Sequence, residues 1–72
     1  MSKLPDDIRS MYTDAYRLHE TFTGIGNNPD DWVRCTGTIS EVCVHHNNHP
    51  LMLALAVAVF DQLDRERVAS GA

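Results

Sequence analysis

The stretch LMLALAVAVF, residues 51–60, decides the fold, because it can be read in two ways. Leu51, Leu53, Leu55, Val57 and Val59 alternate with smaller residues as in a buried strand. Against that, Ala54, Ala56 and Ala58 are good helix formers and poor strand formers. The pattern also continues without a break into Phe60, Leu63 and the charged DRER run. The helix reading prevails, and the segment predicts a helix over roughly residues 50–68 with Pro50 in its first turn.

Working backward, the segment before it has Trp32, Cys35, Ile39, Val42, Cys43 and His46 on one helical face. Asn28 supplies a cap, Pro29 the first helical position, and Asp31 stands where a capping-box acid would. A helix over residues 29–47 is expected. Earlier still, Ile8, Met11, Tyr12, Ala15, Leu18, His19 and Phe22 trace another apolar face, with Arg9, Ser10, Thr13, Asp14, Arg17 and Glu20 on the far side. Pro5, Asp6 and Asp7 make a good start and Gly24 a stop, so this helix is expected over residues 5–23. The chain is therefore read as a single domain, residues 1–72, all-α, an antiparallel three-helix bundle or hairpin-like helical domain.

Composition narrows the function classes. The net charge is −4, and the six Lys and Arg residues are scattered, so no basic stripe exists to neutralise a phosphate backbone; nucleic acid is not an expected partner. The longest apolar run is the ten residues 51–60, about half of what a membrane-spanning helix needs. The first ten residues, MSKLPDDIRS, lack the features of a secretory signal, and a cytoplasmic location is expected. Cys35 and Cys43 would stand roughly 12 Å apart on one helix, beyond disulfide reach, so both are read as free thiols.

The stretch VCVHHNNHP, residues 42–50, raises the question of a metal site, because Cys43, His45, His46 and His49 fall within seven residues. A structural zinc site needs four converging ligands. Cys43 and His46 face the core side of the helix while His45 faces solvent, and the two asparagines before Pro50 break the register to His49. The stretch reads as a joint between helices, with no metal or other cofactor expected. Those four residues form the alternative reading of a metal-binding bundle, whose strongest version bridges two subunits. Gly24-Ile25-Gly26-Asn27-Asn28-Pro29 lacks the Gly-Lys-Ser/Thr of a phosphate loop and follows a helix, so it reads as a turn. Nucleophilic catalysis by Cys43 beside His46 is disfavoured because both lie on the buried face. A DNA-reading helix-turn-helix fails because its second helix would open with ten apolar residues.

What remains is an excess of apolar surface. On a wheel the third helix carries an apolar arc of roughly 240°, more than twice what one buried face requires. The second helix adds Val33, Gly37, Ser40 and Val44 opposite Trp32. Gly37 admits two readings, a close approach by another backbone or a weak point flanked by Thr36 and Thr38. A chain this short also tends to need help for its core. The expectation is a non-enzymatic interaction or scaffolding module whose partner is itself, most simply a C2 dimer, through Val33, Gly37, Val44, Leu53, Ala54, Val57 and Ala58. A further alternative is a ligand-binding or enzymatic bundle with its pocket at the subunit interface.

Overall fold

The computed structural model describes residues 3–70. Three helices, α1 (Asp6–Phe22), α2 (Pro29–His45) and α3 (Pro50–Ala69), make up its regular structure, and no strand occurs among the described residues. LMLALAVAVF lies in the first half of α3.

Each boundary has a local cause. Pro5 sits just before α1 in extended conformation, and Asp6 and Asp7 occupy the first turn, where the helix dipole favours carboxylates. The Thr23 amide donates to His19 O at 2.9 Å, and Gly24 then takes φ +83°, which glycine adopts without steric cost. At α2, Asn28 accepts the Asp30 amide at 2.9 Å through its side chain, with Pro29 in the first helical position. Asp31 does not complete a capping box but pairs with Arg34 at 3.5 Å.

The second helix stops at His45, two residues short of the expected end. Asn47 and Asn48 both adopt left-handed conformations, with φ of 57° and 53°. Asparagine tolerates this region better than most residues. The amide of Asn48 donates to Cys43 O at 2.8 Å and that of Asn47 to Val44 O at 2.9 Å, closing the helix end. One residue later His49 caps α3, its Nδ1 accepting the Leu51 amide at 3.1 Å.

The core draws Met11, Ala15, Leu18 and Phe22 from α1, Cys35 and Cys43 from α2, and Met52, Ala56 and Leu63 from α3. Consecutive helices are antiparallel, so α1 and α3 run side by side in the same direction, and these two make the most extensive contact. His19 meets Glu66, and Arg67 reaches Asn27 at 2.8 Å, at one end of the pair. α2 is joined more loosely. Its main aromatic contact is Trp32, packed edge-on against Phe60 at 5.4 Å, with its indole N–H donating to Gly26 O at 2.7 Å.

That looseness shows in the dimensions. The radius of gyration is 12.9 Å, against about 11 Å for a compact chain of this length. The accessible surface is 4939 Å², against about 4500 Å² for a typical monomer of this mass. An open seam runs between α2 and α3.

Candidate functional site

The seam is a groove of about 300 Å³ lined by Thr36, Ile39 and Cys43 of α2 and by Leu53, Ala56, Val57 and Phe60 of α3. Its chemistry is aliphatic and aromatic. The only hydroxyl, on Thr36, already donates to Val33 O at 2.9 Å. Burial pushes the Cys43 thiol above its ordinary pKa, so it stays neutral. No charged side chain lines the groove.

Around this groove stand the side chains singled out from the sequence. Val33 is 70% exposed, Val44 61%, Leu53 42% and Val57 60%. Gly37, Ala54 and Ala58 are exposed as well. Leu53 and Val57 form one wall, and Val33, Gly37 and Val44 lie on the adjoining stripe of α2. Ala54 and Ala58 continue round α3, away from that wall, at about 100° per residue. A β-carbon placed on Gly37 would meet nothing within 4 Å, so no contact inside the chain calls for a glycine there.

The histidine stretch distributes its side chains among separate tasks. Cys43 is buried at the groove floor. His45 is exposed and stands edge-on to His46, ring centroids 5.2 Å apart. His46 turns inward, its side chain 8% exposed, and its Nε2–H donates to Asp14 Oδ2 at 2.6 Å. His49 caps α3. Among the described residues no group of three or more His, Cys, Asp or Glu side chains converges as metal ligands would.

Two polar links escaped the sequence reading. Asp14, expected on the solvent side of the first helix, spans instead to His46 at the end of α2. It borders the apolar stripe, three residues after Met11 and four before Leu18, and that edge position was the available signal. His19, on the apolar face as expected, is only half-buried and donates to Glu66 Oε2 at 2.8 Å. This bond, with help from Gln62 and Thr23, holds the Glu66 carboxyl below the usual glutamate range.

The chain matches no protein-family model, no curated protein and no solved structure. No helix among the described residues is long and apolar enough to cross a membrane.

Proposed function

We propose that this protein is a non-enzymatic interaction module whose first partner is a second copy of itself, joined through the α2–α3 face in a two-fold dimer. The observation that carries the reading is the groove with its rim of exposed aliphatic side chains. Exposed aliphatic residues are ordinary when scattered, but a contiguous patch of them marks an interaction site. The face combines projecting residues, Val33, Val44 and Val57, with a hollow of matching chemistry. A two-fold axis makes such a surface self-complementary, since each copy inserts into the other what it also receives.

The groove's chemistry favours side chains over a small molecule. Ligand pockets place a few polar groups to orient their guests, and this one has a single hydroxyl already in use. Gly37 fits the same picture, because an exposed mid-helix glycine costs about 1 kcal/mol relative to alanine. A second backbone approaching that stripe gives the missing side chain a purpose.

Light scattering across a dilution series tests the proposal. A mass twice the 8.1 kDa of the chain, falling toward the monomer on dilution, is expected. A monomer at all concentrations up to the millimolar range refutes it.

A further inference from the structure

The middle of α2 is held less firmly than either of its ends. Cys35, Ile39 and Cys43 fall four residues apart on one helical face. Only the outer two are buried, and Ile39 between them stands half-buried on the wall of the groove. No side chain from 36 to 42 is buried. The N-terminal end is fixed by Cys35, by Trp32 against Phe60, and by the Arg34 guanidinium, 6.0 Å above the centre of the Phe22 ring. The other end is fixed by Cys43, whose carbonyl accepts the Asn48 amide, and by His46, bonded to Asp14 at 2.6 Å.

Between these anchors the sequence itself is weak. Thr36, Gly37, Thr38, Ile39 and Ser40 all rank below alanine, leucine and the long charged residues as helix formers. The Thr36 and Thr38 hydroxyls donate back to the carbonyls of Val33 and Arg34, each at 2.9 Å, and bonds of this kind loosen and bend a helix. Across the groove, α3 presents Leu53-Ala54-Leu55-Ala56, from the top of the same scale. The wall that gives way is therefore that of α2, at its waist.

We propose that residues 36–40 form a lid on the groove: the helix unwinds there between two fixed ends, and a second copy seated on the groove winds it shut. Thr36 and Ile39 are part of the groove wall, so a partner that packs on the wound form stabilises it by mass action. The winding step rests on the dimer proposed above, whereas the unwinding does not.

Amide hydrogen exchange on the full chain, at a dilution where it is monomeric, tests the unwinding. Helices fray from their ends, so mid-helix amides ordinarily exchange last. Here the amides of residues 38–41 should exchange about tenfold faster than those of Cys35 and His46. Thr38→Ala should slow them about threefold, while Thr13→Ala, which removes the equivalent hydroxyl bond to Arg9 O in α1, should leave them unchanged. Raising the concentration until light scattering reads a dimer should slow them in proportion to the monomer that remains, about tenfold where a tenth of the chains are monomeric. Waist amides that exchange last in α2, or that slow as much in Thr13→Ala as in Thr38→Ala, would overturn the lid. A dimer that forms with their exchange unchanged would overturn the winding. A chain that stays monomeric would refute the dimer and the winding with it, while the dilute profile still decides the lid.

Discussion

Replacing Val57 with glutamate separates the role of the groove wall from that of the core. Its side chain is 60% exposed in the single chain, so the change should alter the isolated fold by no more than about 0.5 kcal/mol. Glutamate is also the better helix former. In a dimer the consequence is larger. Full burial of a valine is worth about 1.5–3 kcal/mol, so covering the exposed portion contributes about 1–2 kcal/mol per copy. A two-fold axis counts it twice, giving about 2–4 kcal/mol, or a dissociation constant raised about 30- to 1000-fold before any cost of burying the carboxylate. Val68→Glu is the matched control, since Val68 is equally exposed on the same helix but lies about 16 Å further along it. Sedimentation equilibrium on the three proteins, with urea melts at high dilution, provides the readout. Equal effects of the two substitutions, or an unchanged mass for Val57→Glu, would show that exposure alone, and not the groove, was being read.

Gly37→Ala should raise the stability of the dilute protein by about 1 kcal/mol in urea melts, because its methyl meets nothing in the chain, while weakening self-association in the same dilution series. Asp14→Ala strands the buried His46 and should cost about 1–3 kcal/mol in chemical denaturation, with Asp14→Asn losing less because it keeps an acceptor. Glu66 is held below its ordinary value of 4.5, first by His19; its contribution is whole above that value and is lost as pH falls through the lower folded one, so Glu66→Gln should flatten the acid limb of melting temperature against pH. Burial raises both cysteine thiols from 9.0, so labelling by an aromatic disulfide at pH 8 should be slow in the native protein and fast in denaturant. The same shifts contribute stability that is full below 9.0 and lost as pH rises through the folded values.

The helices were legible because each start carries its own chemistry: Asp6 and Asp7, then Asn28-Pro29, then Pro50. Helix ends were less so. The expected reach of α2 to residue 47 missed that Asn47 turns left-handed before Asn48 does. Val33, Val44, Leu53 and Val57 could be picked out as exposed because a wheel shows where α2 and α3 carry apolar side chains beyond the arc that one buried face needs. Asp14 and Glu66 could not be placed, since a wheel gives a direction about one helix axis and says nothing of what stands beyond it. Whether Asp14 faces water or His46 depends on where the end of α2 comes to rest, and no residue of α1 encodes that.

The parallel pairing of α1 with α3 sets the order in which the chain can fold. Partners in this pair are far apart in sequence, His19 from Glu66 by 47 residues and Thr23 from Glu66 by 43. Closing such a loop must precede its reward, which slows a topology that would otherwise be governed by local contacts. During synthesis, α1 emerges long before the helix it packs against most extensively, and α2 brings two buried side chains, Cys35 and Cys43, with Trp32, Ile39 and Val42 packed part-buried against the core. The apolar face of α1 therefore gains its most extensive cover only once α3 has been made.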